Sequence, residues 1–271
     1  MKQGLIIRLQ INLATYMMIL LFTISSQSQA VNKQKIIIND VDWPPYFLIE
    51  GESSLKGIGK EILNNCLTIN NYRPDFVKLP IKRTHYFMKQ GDIDLTVYSY
   101  KQEREAFLYY SKEALFKTDY GFMVRANSNL VIESLEDLTP LRVGHLAGLS
   151  YTPELLKIIN DKLEKEEAVI ANSIHSVYSQ LLADIPRIDI TANTKSTFFW
   201  QANILGVRDK IKVLDYTIKT KAYFMTVSKQ SKNISDPNSF INQIDECVKA
   251  MKISGDYQKI LNRYQNLQSQ Y

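Results

Sequence analysis

The chain is short of the residues that build metal and redox centres. Its 271 residues include two cysteines, Cys66 and Cys247, and three histidines, His85, His145 and His175. Two cysteines cannot complete a zinc site alone, no Cys-x-x-Cys is present, and the histidines share no metal spacing. No cofactor or metal is therefore expected. The ten glycines form neither a P-loop nor a dinucleotide fingerprint, and no Ser-His-Asp order suggests a hydrolase triad. The formal charge is +5; Lys2 and Arg8 supply two of these in an acid-free leader, leaving +3 for the remainder. That balance is too weak, and its lysines and arginines too dispersed, to point to nucleic acid. Beyond the first thirty residues no segment is apolar enough to span a membrane, and no tandem repeat or low-complexity linker occurs.

What is present begins with a targeting segment. Lys2 and Arg8 form a positive start, Ile11 to Ile24 is mostly apolar, and Ser28-Gln29-Ala30 is a small-x-small cleavage site. Cleavage after Ala30 is expected, and the mature chain, starting at Val31, is expected to work in the periplasm. In that oxidising compartment Cys66 and Cys247 fit either a disulfide or two buried thiols. Both fall on expected helices, one early and one in the returning tail of the same half of the fold, which predicts that they lie near each other.

The stretch around which the rest is arranged is Gly91 to Arg104. Gly91-Asp92 signals a turn; Ile93, Leu95 and Val97 then alternate with Asp94, Thr96 and Tyr98, the period of a half-buried strand. Ser99 and Arg104 follow at its carboxyl end, where open α/β sheets place their ligand crevice. A hydroxyl and a guanidinium suit a carboxylate, the guanidinium giving a bidentate, charge-assisted pair.

The flanking segments read as repeated units. Strands are expected at Lys35–Asn39, Asp75–Leu79 and the Gly91 stretch, with helices over Ile58–Ile69 and Ile81–Gln90 between them. The prolines of Trp43-Pro44-Pro45-Tyr46 are expected to force an extended loop that presents Trp43 and Tyr46. After a strand at Asp119–Val124 the order restarts: strands at Leu141–Leu146, Ala168–Ala171 and Arg187–Ala192, helices at Pro153–Asn160, Ser173–Ala183 and Lys195–Ala202. Short strands at Lys212–Leu214 and Ala222–Val227 lead into two terminal helices, the last ending at Tyr264 before a frayed tail. Two β-α-β-α-β units argue parallel sheets with helices on their faces. One unit inserted in the other implies two crossing strands, near Tyr120–Val124 and Thr220–Phe224, with a cleft and a hinge. Sixteen tyrosines offer aromatic surface for such a cleft.

In order and spacing this sequence resembles the family 3 extracytoplasmic solute-binding proteins, the periplasmic polar amino-acid receptors of ABC importers. The resemblance covers essentially the whole mature chain. It is carried by Asp40-x-x-Trp43-Pro44-Pro45-Tyr46-Phe47, Gly57-Ile58-Gly59-Lys60-Glu61-Ile62, and Gly91-Asp92-Ile93-Asp94 with Ser99 and Arg104. It continues through Ser134-Leu135-Glu136-Asp137-Leu138, Arg142-Val143-Gly144-His145-Leu146-Ala147-Gly148, Arg187-Ile188-Asp189 and Gly255-Asp256-Tyr257-Gln258-Lys259-Ile260.

The resemblance implies a two-lobe α/β periplasmic-binding-protein fold of type II, each lobe a mostly parallel sheet with flanking helices, joined by two hinge strands. Residues 1–30 would be the signal peptide, 31–121 and 222–271 the first lobe, and 122–221 the second. It implies that Arg104 grips a ligand carboxylate with help from Ser99, that Trp43 is an aromatic wall, and that Asp40 is polar wall or lies just behind it. Ser150 and the backbone after Gly148 would close from the second lobe, and Tyr98 joins the candidate ligand-binding residues. The family's acid for the ligand's α-ammonium falls at Thr194, beside Asn193, which puts a standard α-amino acid in doubt. The expected function is a non-enzymatic, monomeric receptor for a small carboxylate-bearing solute, serving an ABC permease or a membrane sensor. The alternative is an enzyme on the same scaffold, similar to the cyclohexadienyl dehydratases, for which Asp40, Asp42 and His145 are the candidate titrating groups.

Overall fold

The computed structural model describes residues 33–49, 55–79, 81–149 and 151–269, with backbone alone at 81, 82 and 265–269. The leader, its cleavage site at Ala30, and Ser150 lie outside the described residues.

The first unit runs β1 (Gln34–Asp40), α1 (Ile58–Ile69), β2 (Tyr72–Lys78), α2 (Ile81–Gln90), β3 (Leu95–Ser99). β1 pairs in parallel with both β2 and β3. The second unit runs β5 (Val143–Leu146), α3 (Pro153–Glu164), β6 (Ala168–Ala171), α4 (Ile174–Leu182), β7 (Ile190–Thr194), with β5 parallel to both β6 and β7. Each unit therefore puts its first strand in the middle, as right-handed crossovers with flanking helices favour. Helix α5 (Lys195–Ile204) follows β7, and α6 (Pro237–Ser254) and α7 (Asp256–Ser269) end the chain; the expected frayed tail continues α7 as far as Ser269.

Two strands differ from expectation. β4 (Leu108–Arg125) and β8 (Ile211–Ser228) are each 18 residues long and pair antiparallel almost end to end. Lys212–Leu214 and Ala222–Val227 are thus two ends of one strand. The described strands form one sheet, β2-β1-β3-β8-β4-β7-β5-β6. β8 borders β3 through Tyr223–Val227, whereas β4 borders β7 through Tyr120–Met123. β4 and β8 thus carry the sheet from one unit into the other. Register shifts between Tyr110 and Ala114, Ala114 and Phe116, and Tyr120 and Met123 interrupt their alternation, and such bulges bend and twist a pair of strands.

The Gly91 strand is buried on both faces. Leu95 packs on one side, while Asp94 and Thr96 are as deeply buried on the other. Asp94 is held by the Ile37 amide at 2.7 Å, the Ser231 hydroxyl at 2.6 Å and the Asn233 side-chain amide at 3.0 Å. Its place is structural: it ties β1 to the segment after β8. Gly91 has φ +75°, and a Cβ there would lie 1.6 Å from the Gln230 carbonyl oxygen, so only glycine fits this approach.

Helix α1 buries Ile58, Ile62, Leu63, Cys66 and Leu67, a stripe at helical spacing; Ile69, at its last turn, is exposed instead. Cys66 meets Cys247 of α6 in a disulfide, with a Cα separation of 5.6 Å. The bond ties the first unit to a returning helix across a sequence separation of 181 residues, a loop that includes the whole second unit. Reduction, or the Cys66→Ala/Cys247→Ala variant, is expected to lower stability by about 2–5 kcal/mol. Urea unfolding with and without reductant measures this, and coincident midpoints would exclude it.

Candidate functional site

The carboxyl end of β3 meets the crossing strands. Across the sheet Ser99 pairs with Tyr223, and Tyr223 pairs with Phe116. Paired residues share a face, as do residues two apart on one strand. Tyr223 therefore brings Lys221 onto that face. Trp43 covers the row, with ring centroids 4.5 Å from Tyr223 and 5.4 Å from Phe116. Tyr46 stacks on Phe116 at 4.1 Å, and Tyr120 and Tyr223 share a hydroxyl hydrogen bond of 2.8 Å. The result is an aromatic floor on the two strands that link the units.

The Trp43 loop is a turn rather than an extended segment. The amides of Tyr46 and Phe47 both donate to the Trp43 carbonyl at 2.9 Å, and the Pro44–Pro45 bond is cis. Its outer end touches α5: the Thr197 hydroxyl donates to the Pro44 carbonyl at 2.6 Å, and Tyr46 Oη lies 3.0 Å from Ser196 Oγ.

Arg104 stands on a 3-10 turn, Gln102–Ala106, half-buried. Its guanidinium lies 4.4 Å over the Tyr98 ring and donates from Nη1 to the Ser99 carbonyl at 3.2 Å. A cation against an aromatic face, with one nitrogen on a backbone carbonyl, is held in place on the strand end. Tyr98 itself is 8% exposed, and His85 stacks near it with centroids 4.9 Å apart. Burial raises the Tyr98, Tyr120 and Tyr223 phenols, so all three are neutral at physiological pH. Burial, then the charges of Arg104, Lys101 and Lys89, lower His85, which favours its neutral form beside Arg104.

Two basic residues that the sequence reading left out of the site approach from β8. Lys221 Nζ lies 4.8 Å over the Tyr120 ring. Burial and then Lys219, Lys101 and Arg104 pull its pKa down to about 8. The signal was present: Lys219, Lys221 and Tyr223 alternate along one strand. It is recognisable only once β8 is known to extend through Thr217–Ala222.

The remaining candidates are engaged by other groups of the chain. Asp40, 8% exposed, accepts from Lys60 Nζ at 2.7 Å, a buried pair inside the first unit. Thr194 is fully buried at the end of β7. Its Oγ1 lies 2.6 Å from Thr197 Oγ1, and Thr197 donates onward to Pro44, so the Thr194 hydroxyl proton points into this chain. Asp189 takes Arg142 through three hydrogen bonds of 2.5–3.1 Å, and that guanidinium holds its carboxyl below the usual range. His145, half-buried, is lowered by burial and lies with its ring 5.7 Å from Tyr151, which reaches Tyr120 at 6.3 Å. A cavity of about 380 Å³ lies lined by Pro45, Tyr46, Ile58, Phe116, Tyr257 and Tyr264 among others. Arg104, Ser99 and Lys221 do not border it, although Tyr46 and Phe116 of the aromatic floor do. Among the described residues no group of His, Cys, Asp and Glu is arranged to hold a metal ion, and no helix is long and apolar enough to cross a membrane.

Solved structures share this architecture. A variant of ArgBP from T. maritima is 14% identical with a TM-score of 0.69, covering 86% of this chain and 96% of its own. An ABC uptake transporter substrate-binding protein from Streptococcus pneumoniae with bound histidine is 18% identical, TM-score 0.67, over 85% and 92%. A histidine kinase sensor domain with similarity to periplasmic binding proteins is 14% identical, TM-score 0.68, over 85% and 96%. At these identities the likeness shows the fold, the two-lobe α/β fold of periplasmic binding proteins. No curated protein sequence matches the chain. The model of the bacterial extracellular solute-binding proteins, family 3, matches residues 36–267, from the first strand into the last helix, and the chain belongs to that family.

Proposed function

We propose that this protein is a periplasmic receptor, monomeric and without catalytic activity, that captures a small carboxylate-bearing solute between its lobes. The observation that carries the reading is Arg104, its guanidinium 4.4 Å over the Tyr98 ring and hydrogen-bonded to the carbonyl of Ser99, the residue that pairs with Tyr223 of the aromatic floor. A guanidinium presents a planar pair of donors to a carboxylate, and the rings receive the apolar part of a ligand. The lobes divide at 121/122 and 221/222, which agrees with β7 pairing beyond Tyr120 and β3 pairing beyond Tyr223. The Streptococcus pneumoniae neighbour with bound histidine supports a solute of amino-acid size. Both an ABC permease and a membrane sensor suit the output, since transporter receptors and a kinase sensor domain share the fold.

A thermal-shift screen against carboxylic acids, amino acids and amines tests this. A solute at about 100 times its dissociation constant should add roughly 2.7 kcal/mol of stability. Shifts confined to molecules with a carboxylate support the reading. Shifts given by amines alone would overturn it.

A further inference from the structure

We infer that this protein has a second small-molecule site, separate from Arg104, which takes a flat aromatic ring bearing one carboxylate. The site is the cavity of about 380 Å³ beside the crossing strand β4, and its volume falls within the roughly 300–1,000 Å³ of small-molecule pockets. Its apolar wall comes from four parts of the chain: Tyr46 of the Trp43 loop, Ile58 at the start of α1, Phe116 of β4, and Tyr257, Leu261 and Tyr264 of α7. Ser196 of α5 closes it from the second unit. Arg104, Ser99 and Trp43 do not border it.

Two features set the chemistry of the occupant. The first is that the aromatic side chains offer their rings, because their polar ends are engaged. The Tyr264 hydroxyl accepts from the Gly57 amide at 2.7 Å and donates to Glu61 at 2.5 Å. Tyr257 donates to the Leu115 carbonyl at 2.9 Å, and Tyr46 Oη lies 3.0 Å from Ser196 Oγ. Lys252, also on the wall, donates to Glu113 at 2.7 Å and to the Ala114 carbonyl at 2.8 Å. A polar molecule enclosed here would lose water without gaining partners, which is costly. A planar ring meets the faces and edges of four aromatic rings instead.

The second feature is the charge at the mouth. A smaller chamber of about 280 Å³ adjoins the first, and Tyr46, Lys117 and Ser196 border both. It presents Lys117 and Lys195 against Asp119. Lys195 donates to the Asp215 carbonyl at 2.7 Å and to the Thr217 hydroxyl at 3.0 Å, and Asp119 accepts from the Thr220 hydroxyl at 2.6 Å. Lys117 is exposed, and among the described residues neither lysine pairs with a carboxylate. Two ammoniums against one carboxylate leave an excess of one positive charge, which favours a single anionic group at the mouth and opposes an ammonium. A ring seated in the inner chamber would place its carboxylate beside Lys117.

The test is calorimetric titration of the purified protein with indole-3-acetate, indole, tryptamine and acetate, a set that separates ring from charge. Indole-3-acetate should bind more tightly than indole, indole more tightly than tryptamine, and acetate should not displace the ring compounds. Leu261→Trp, which fills the cavity from a half-buried position, should weaken indole-3-acetate more than tenfold. Lys117→Gln should weaken it about two- to fivefold and leave indole unchanged, as expected for one solvent-exposed ion pair. Its exposed position keeps the test decisive should the larger residue at 261 disturb α7. Arg104→Ala should leave indole-3-acetate binding as it is. No binding of indole-3-acetate, or binding indifferent to both Leu261→Trp and Lys117→Gln, overturns the site. Equal or tighter binding of tryptamine overturns the anion. Loss of indole-3-acetate binding in Arg104→Ala would put it at Arg104, refuting a second site while supporting the carboxylate reading there.

Discussion

Lys60→Met alone is expected to destabilise the protein by about 3–5 kcal/mol, whereas Lys60→Met combined with Asp40→Leu should be close to neutral. Lys60 is 1% exposed, on the first turn of α1. Its ammonium donates to Asp40 Oδ2 at 2.7 Å and to the Leu48 carbonyl at 3.2 Å, and lies 4.8 Å over the Phe76 ring. Removing it leaves the Asp40 carboxylate buried and without its counter-charge, which is the expensive half of a buried pair. Removing both charges with apolar groups of similar size takes away the desolvation of each together with their attraction. Urea unfolding of the two variants measures the difference. A single variant within about 0.5 kcal/mol of the parent, the scatter of ordinary surface changes, would show that the pair is not buried as described. Ligand affinity in the double variant answers a separate question. If Asp40 only organises the base of the Trp43 loop, affinity survives; if it touches the solute, affinity falls even though the fold is intact.

This pair also shows where sequence reading reaches its limit. Both β-α-β-α-β units were legible, because strand and helix periods there reflect burial of one unit against another. Lys60 was legible only as part of a glycine-rich helix start, since nothing local says that an ammonium will be enclosed by Asp40, Leu48 and Phe76. Asp94 was read as the polar face of a half-buried strand. Its burial depends on Ser231 and Asn233, which are brought in by the chain's return 137 and 139 residues later. The crossing strands were the least legible. Between Leu108 and Thr118 exposed and buried residues follow one another without a steady period, between Asp215 and Ala222 no residue is buried, and bulges change the phase. Arg104 and Ser99 were found because they follow directly on their own strand. Tyr223 pairs with Ser99 but arrives on a strand more than a hundred residues on, so only the register brings them together.

Arg104→Ala is expected to reduce affinity for an anionic solute on the order of a hundredfold or more, with the apo fold unchanged. The side chain is half-buried, on a short turn that contributes nothing to the buried core, so folding does not depend on it. Binding does. Closure of a cleft over the solute would desolvate the ion pair, and truncating one partner of a desolvated, hydrogen-bonded charge pair typically costs about 2–5 kcal/mol. Charge alone should not suffice. Arg104→Lys keeps the charge but loses the planar fork that stands over Tyr98 with Nη1 on the Ser99 carbonyl, so much of the loss should remain. Ser99→Ala should cost less, about 1.5–3 kcal/mol, the value of one hydrogen bond to a charged group, because its carbonyl still positions Arg104. The three variants thus have a predicted order, with Arg104→Ala weakest, Arg104→Lys next and Ser99→Ala nearest the parent. Calorimetry with the acid that gives the largest thermal shift reads that order directly. Equal binding by Arg104→Ala and the parent would move the site away from β3, and near-parental binding by Arg104→Lys would mean that a point charge, not a planar fork, holds the solute.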